Sequence, residues 1–248
     1  MLINGSRMVR GAVLAAIFAL AVNAGCGDGA NVINTARLPV DRPDVTVERI
    51  AKGGVSLPGT DAFNVTSFES AQDGDGRGES KAIGKDGAIC KAESGVTGIG
   101  KASFMIGYTF DNQSGKPLDV IVKLRLKHDA TIELSAGETP IGKQPPGASN
   151  TLAFVVRDSA GVVIKNEVLT TSTSDAGPKS SSGSQDLAFD VRCPADRGYY
   201  FLIAGACEAR SGTGRSASVG MNVSDISLEL DWRPGGATTT APAAGGLP

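Results

Sequence analysis

Apolar and polar residues alternate with a period of two along much of the chain. Between Val120 and Lys127 the even positions are apolar, whereas Lys123, Arg125 and Lys127 are charged. Because successive side chains of a strand point to opposite faces of a sheet, this pattern predicts a half-buried strand. Residues 152–157 and 162–169 are two apolar runs on either side of Asp-Ser-Ala-Gly, which predicts a β-hairpin.

The same criteria predict strands at Val45–Ile50, Ala62–Glu69, Ala102–Phe110, Thr131–Leu134, Asp186–Arg192, Tyr199–Ala206 and Val219–Trp232. Gly- and Ser-rich segments at 172–185 and 211–216 predict loops. No long stretch of helical periodicity follows the first 25 residues. About eight to ten short strands with turn-rich connections predict an all-β fold, an antiparallel β-sandwich of jelly-roll type with disordered termini.

The first 25 residues predict export. Arg7 and Arg10 precede the apolar run Ala12–Val22. Eleven helical residues span roughly 16 Å, about half of the hydrocarbon core of a bilayer, so the run is typical of a signal peptide and too short for a membrane span.

Two cleavage sites fit this signal peptide, and the sequence leaves both open. Val22-Asn23-Ala24 before Gly25 matches ordinary signal peptidase, whereas Ala24-Gly25-Cys26 resembles a bacterial lipobox that would lipidate Cys26. The predicted organisation is a signal peptide at 1–25, a flexible tether at 26–42, a β-sandwich domain at 43–233 and a disordered tail at 234–248. The predicted location is the bacterial cell envelope, with a lipid anchor, or the extracellular space.

Three segments together resemble the jelly-roll ectodomains of secreted bacterial surface proteins, including those sorted by the exosortase system. They are Phe-Asp-Asn-Gln-Ser-Gly-Lys-Pro-Leu-Asp-Val at 110–120, Val-Val-Arg-Asp-Ser-Ala-Gly-Val-Val at 155–163 and the strand pair at 189–209. The similarity is one of pattern and covers residues 60–232. Sorted proteins of this type end in a Pro-Glu-Pro motif, an apolar helix and a basic cap, where this sequence has a Thr/Ala/Pro/Gly-rich segment. The resemblance implies a location and a shape, and no biochemical activity.

Charge and composition exclude several partners. Lys and Arg number 24 against 26 Asp and Glu, and removal of Arg7 and Arg10 leaves 22 against 26, a net charge of −4. This balance gives no electrostatic reason to bind nucleic acid. Aromatic residues make up 5% of the chain, which is few for a sugar-binding surface.

The cysteines predict one disulfide. Cys193 and Cys207 flank a single apolar strand, and in an oxidising compartment we expect them to pair, closing a short loop with a stabilisation of roughly 3 kcal/mol. Cys90 then pairs with Cys26 if that residue is not lipidated, or stays free. No Cys-x-x-Cys motif points to a metal or a redox centre.

Two glycine-rich segments suggest ligand chemistry. Asp73, Asp75 and Glu79 alternate with glycine and predict a weak calcium site, although Arg77 and Gly84 occupy ligand positions of an EF-hand loop. Gly95–Lys101 is one residue short of a phosphate-binding P-loop, with Ala102 in place of the magnesium-binding hydroxyl. The residues that follow favour a strand, so this segment is interpreted as a loop between strands.

The sequence assigns no catalytic residue and no cofactor other than calcium. His128 is the single histidine, on a strand that offers no catalytic turn, and Glu208 and Glu229 are examples of a carboxylate pair that a glycosidase would need. We therefore expect an exported, non-enzymatic envelope or surface module with a structural or ligand-binding role. The alternatives are a secreted carbohydrate-binding or carbohydrate-cleaving jelly roll and a subunit of an extracellular assembly, with a polysaccharide or a protein as partner.

Overall fold

Long strands form the regular structure of the protein. The computed structural model describes residues 46–47, 53–59, 62–136, 145–212 and 214–235, and every regular element within these ranges is a strand. The twelve strands are β1 (Thr46–Val47), β2 (Gly53–Leu57), β3 (Val65–Gly74), β4 (Arg77–Ile83), β5 (Gly87–Ser94), β6 (Gly98–Asn112), β7 (Leu118–Leu134), β8 (Gly147–Asp158), β9 (Val163–Ser174), β10 (Lys179–Cys193), β11 (Arg197–Arg210) and β12 (Ala217–Pro234).

The strands form two six-stranded sheets that pack face to face. Sheet A has the order β1-β6-β11-β8-β9, and β3 also pairs with β6. Sheet B has the order β10-β7-β12-β5-β4, and β2 also pairs with β12. All pairings are antiparallel except that of β1 with β6. The predicted fold class, an all-β antiparallel sandwich of jelly-roll type, is confirmed.

The hydrophobic pattern of each strand follows from its place in the sheets. Strand β7 alternates strictly, and its even-numbered residues from Leu118 to Ile132 are buried between the sheets. The central strands of sheet A are buried on both faces, so that Leu202 on the outer face is as inaccessible as Phe201 on the inner face. This double burial explains the continuous apolar run at 199–204, where alternation is absent.

A β-bulge in β12 changes which residues of that strand face the core. Val219, Met221 and Val223 are buried at odd positions, whereas the buried residues from Ile226 to Trp232 occupy even positions. The register against β7 shifts between Ser224 and Ser227, and Asp225 in this segment has a φ of 52°. The extra residue of a bulge moves the following side chains to the opposite face.

The structure differs from the sequence predictions in several segments. Thr131–Leu134 continues β7 and is not a separate strand, and β2, β4 and β5 were not predicted. Most of 172–185 belongs to β9 and β10, although its composition predicts a loop. Both strands end a sheet, where most Ser and Thr side chains are exposed or half-buried while backbone pairing with β8 and β7 maintains the extended conformation.

Several predictions fall on residues outside the described ranges. They are the signal peptide at 1–25, the tether at 26–42 with Cys26, and the tail after Gly235; Pro234 belongs to β12. Within the described ranges, no helix is long and apolar enough to span a membrane.

Candidate functional site

The two glycine-rich segments of the sequence form one corner of the sandwich. The turn between β3 and β4 contains Asp75, and its carboxylate accepts hydrogen bonds from the backbone N–H groups of Gly95, Val96 and Thr97 at 2.8–3.2 Å. The N–H of Asp75 in turn donates to the Thr97 carbonyl, at 2.9 Å. Consecutive backbone N–H groups of a turn form a concave anion site, and here the anion is a side chain of the same protein.

Glycine is required at this corner because backbones meet closely. Gly98 has a φ of 124°, and a Cβ atom built there would overlap the carbonyl oxygen of Asp73 on the neighbouring strand. A Cβ at Gly76 would overlap the carbonyl of Ile99. The glycines therefore permit strand pairing, and the amides of the P-loop-like segment are already bonded to Asp75.

The three predicted calcium ligands have separate environments. Asp75 is bonded to backbone amides, and Glu79 forms an ion pair with Lys81 at 2.6 Å. Lys81 lowers the pKa of the Glu79 carboxyl by hydrogen bonding and by its charge. Among the described residues, no group of three or more His, Cys, Asp or Glu side chains is placed to hold a metal ion. Calcium binding stays a prediction from the sequence, to which this geometry adds no support.

We expect the Asp75→Ala substitution to destabilise the protein by about 1 kcal/mol, because it removes the acceptor for three backbone N–H groups in the manner of a lost helix cap. The matched control is Asp73→Ala, whose carboxylate is exposed and makes no side-chain hydrogen bond in the described part of the chain. Urea unfolding of both variants, with and without millimolar Ca²⁺, measures the difference. Equal stabilities of the two variants would contradict this role of Asp75, and a rise in stability with Ca²⁺ that Asp75→Ala abolishes would support the calcium prediction.

His128 lies in the middle of β7 on the buried face. It is 5% exposed, opposite Gly183 of β10 and Val223 of β12. Its Nδ1 atom has no hydrogen-bond partner among the described residues. The adjacent Asp129 is exposed on the other face of the sheet, as expected for neighbours in a strand. No carboxylate or serine hydroxyl of the described chain is bonded to this imidazole.

The two glutamates named as a glycosidase pair do not share a cleft. Glu208 lies on β11 of sheet A and forms an ion pair with Lys101 at 3.0 Å. Glu229 lies on β12 of sheet B and forms an ion pair with Lys123 at 3.4 Å. Each points away from the core, so the whole thickness of the sandwich separates the two carboxylates.

The predicted disulfide between Cys193 and Cys207 is wrong. Both residues are buried and neither is in a disulfide in this structure; the same holds for Cys90. Cys193 ends β10 beside Tyr199, whose hydroxyl donates to the Pro194 carbonyl at 2.8 Å. Cys207 lies eight residues further along β11, which is about 26 Å in an extended strand. Its Sγ atom instead lies 3.0 Å from that of Cys90.

An open groove lies at one end of sheet B. Its volume is about 340 Å³, and Glu93 and Glu133 flank Ser218 on neighbouring strands. The other lining residues are three serines, Leu134 and Ala217. The sequence analysis did not identify these residues, because their association depends on the order β7-β12-β5.

The largest continuous apolar exposure of the described chain lies at the edge of sheet A. Five large apolar side chains are exposed among the described residues. Three of them are consecutive and lie at this edge: Val162, Val163 and Ile164, at 57%, 43% and 40%. They belong to the β8–β9 turn and the start of β9, whose only strand partner in the described structure is β8. The sequence predicted this hairpin but could not show that its second strand ends the sheet.

No family model matches the sequence, and no curated protein matches it. Solved structures with some similarity include a family 11 carbohydrate-binding module from Clostridium thermocellum in complex with a β-1,3-1,4-mixed-linked tetrasaccharide, with 15% identity, a TM-score of 0.25, and 73% of this chain and 96% of that chain covered. A family 22 carbohydrate-binding module from C. thermocellum has 9% identity and a TM-score of 0.22, over 71% and 94% of the two chains. An arabinose-bound α-L-arabinofuranosidase has 12% identity and a TM-score of 0.23, over 71% and 26%. Similarity at this level assigns no function to the chain.

Proposed function

We propose that the protein is an exported, non-enzymatic module of the bacterial envelope or cell surface that works by association through the β9 edge of sheet A. The signal-peptide pattern supports export. The residues considered as chemical groups are engaged within the fold. The Asp75 carboxylate accepts hydrogen bonds from backbone N–H groups of a turn, His128 lies in the core, and Cys90 and Cys207 face each other between the sheets. None of them points to a substrate.

The carbohydrate-binding alternative has less support from this structure. Sugar rings usually stack on exposed aromatic side chains, and no aromatic side chain among the described residues is exposed. Tyr199, Tyr200 and Trp232 are all buried. The β9 edge, by contrast, exposes apolar side chains at its start, and among the described residues β9 pairs only with β8.

The observation that carries the proposal is the open edge of β9 in its first half. The carbonyls of Leu169 and Thr173 accept hydrogen bonds from Gln185 and Lys179, which occupy the second half of the edge. Comparable side-chain bonds do not occupy the backbone of 163–168 in the described structure. An edge strand of this kind can add another strand by backbone pairing.

The residues of this edge favour a second copy of the same chain as the partner. In an antiparallel β9–β9 pair centred on Asn166, Lys165 lies opposite Glu167 of the second copy, and Glu167 lies opposite its Lys165. Residues 165–168 pair with β8 without a register shift, and irregularities at Ile164 and Leu169 bound this segment. Opposite charges in these positions stabilise cross-strand contacts, and a two-fold axis closes the dimer. The contact is short, so we expect weak association that rises with concentration.

Charge reversal tests this register. Within one chain, Lys165 and Glu167 form an ion pair at 3.1 Å on the exposed rim. Lys165→Glu places four glutamates at the pairing centre of a dimer, and Glu167→Lys places four lysines there, so we expect each variant to remain monomeric. A mixture of the two variants restores opposite charges and should associate as the parent does. Sedimentation velocity of the mature chain over a concentration series measures this.

The matched control is Lys127→Glu, a charge reversal at a more exposed ion pair, with Asp225, in the centre of sheet B. It should leave association unchanged. A parent chain that stays monomeric at high concentration would contradict the proposal, as would a mixture that stays monomeric when the parent associates. Retardation of the parent in gels that contain a soluble polysaccharide would favour the carbohydrate-binding alternative instead.

A further inference from the structure

Two cysteines from different sheets meet in the centre of the sandwich. Cys90 lies on β5 of sheet B and Cys207 on β11 of sheet A, and they are 0% and 2% exposed. Their Sγ atoms are 3.0 Å apart, and the Cys207 thiol is also 3.4 Å from the Cys90 carbonyl oxygen. The separation is about 1 Å longer than the ~2.05 Å bond of a disulfide.

We propose that Cys90 and Cys207 form a disulfide that joins the two sheets in the mature protein. The two residues are 117 positions apart in the chain, so the bond would close a loop that includes most of the domain. A crosslink over so long a loop removes more conformational freedom from the unfolded chain than a short one does. The inference rests on the proposed export, because disulfides persist in oxidising compartments.

The bond forms by thiol–disulfide exchange with an external oxidant that is itself a disulfide. One cysteine thiolate attacks the external disulfide, forms a mixed disulfide and releases one thiolate of the oxidant. The second cysteine, as a thiolate, then attacks the protein sulfur of the mixed disulfide and releases the other. Two protons and two electrons leave the cysteine pair, and the oxidant becomes a dithiol or two thiols.

Burial determines when this reaction can occur. The hydrogen bond with Cys207 and burial raise the pKa of the Cys90 thiol well above its ordinary value. Because the thiolate is the nucleophile, the reduced pair in the folded sandwich reacts slowly. The bond therefore forms while the sheets are still open during folding, and afterwards burial protects it from reductants.

Cys193 provides an internal control. It is 0% exposed, it is the last residue of β10, and burial raises its pKa to about 12. It has no sulfur partner among the described residues. We expect it to stay a free thiol that is alkylated only after the protein is denatured.

Peptide mapping without reductant tests the pair. We expect the peptides that contain Cys90 and Cys207 to be recovered as one linked species, two hydrogen atoms lighter than their sum, with Cys193 alkylated. The linked form should melt about 10 °C above the reduced form, and the Cys90→Ala/Cys207→Ala double variant should not respond to reductant. Linkage of Cys193 to either cysteine would overturn the assignment, as would recovery of Cys90 and Cys207 both alkylated from the chain recovered from cells and from the refolded chain.

The premise of export is tested separately. The chain is also unfolded, reduced and refolded in a mixture of reduced and oxidised glutathione, which supplies the oxidant outside the cell. A linked pair after refolding supports the assignment of the two residues, and its absence there overturns it. A linked pair after refolding together with a reduced pair in the chain recovered from cells would overturn export and leave the pairing supported.

Discussion

The Phe110→Ala variant is expected to lose about 3–5 kcal/mol of unfolding free energy, the range for truncation of a fully buried phenylalanine. Phe110 is 0% exposed and lies at the centre of an aromatic cluster. Its ring centroid is 5.8 Å from that of Tyr199, 5.7 Å from that of Phe201 and 5.5 Å from that of Trp232. Trp232 belongs to sheet B and the others to sheet A, so the substitution opens a cavity between the sheets.

The measurement is urea unfolding followed by the fluorescence of Trp232, the only tryptophan of the chain. The midpoint should fall while the dependence of the unfolding free energy on urea is unchanged. Phe68→Ala is the control, since Phe68 lies on β3 at the side of sheet A and is only half-buried against the core. An effect at Phe110 no larger than that at Phe68 would contradict the central position assigned to this cluster.

The sequence carries enough information to predict most strands, but too little to predict which strands pair and how the two sheets stack. Alternation in β7 was sufficient to predict both the strand and its buried face, because a period of two has one physical explanation in a half-buried sheet. The bulge at Asp225 leaves no signal of this kind. Val223 and Ile226 are both apolar, but one has an odd and the other an even residue number. Only the structure shows that both face the core.

The cysteine prediction failed because proximity in sequence does not give proximity in a sandwich. Cys193 and Cys207 are 14 positions apart, but β10 and β11 belong to different sheets. Cys193 lies at the connection between the two strands, whereas Cys207 lies near the far end of β11. Cys90 and Cys207 are brought together by the way two sheets stack, which no local pattern encodes. The open edge of β9 could not be predicted for the same reason, since it depends on strand order.

The glycine-rich motifs show a different limit. The sequence analysis treated the two segments separately, 73–79 as a weak calcium site and 95–101 as a loop between strands. The structure brings the two segments together, so Asp75 bonds to the amides of Gly95, Val96 and Thr97. Neither motif alone could predict this contact, because it depends on how β3, β4, β5 and β6 are arranged in the sandwich.

Replacement of Gly205 by valine is expected to destabilise the protein by about 3 kcal/mol, the upper part of the usual range for an overpacked core. Gly205 lies on the inner face of β11, between Ile203 and Cys207. A Cβ atom built there would overlap the ring of Phe104 and lie 2.7 Å from the Cε atom of Met221, a residue of sheet B. Valine adds two more carbon atoms, so Phe104 or the facing sheet must move.

Gly220→Val is the matched control, with the same substitution in an interior strand position. Gly220 lies on the outer face of β12, where a Cβ atom would meet only Lys91 and Thr131 at 3.7 Å, an ordinary contact distance. Valine also has a higher strand propensity than glycine, so this variant should be neutral or more stable. Urea unfolding compares the two variants, and an equal loss of stability in both would show that the inner face of β11 is less tightly packed at Gly205 than its contacts indicate.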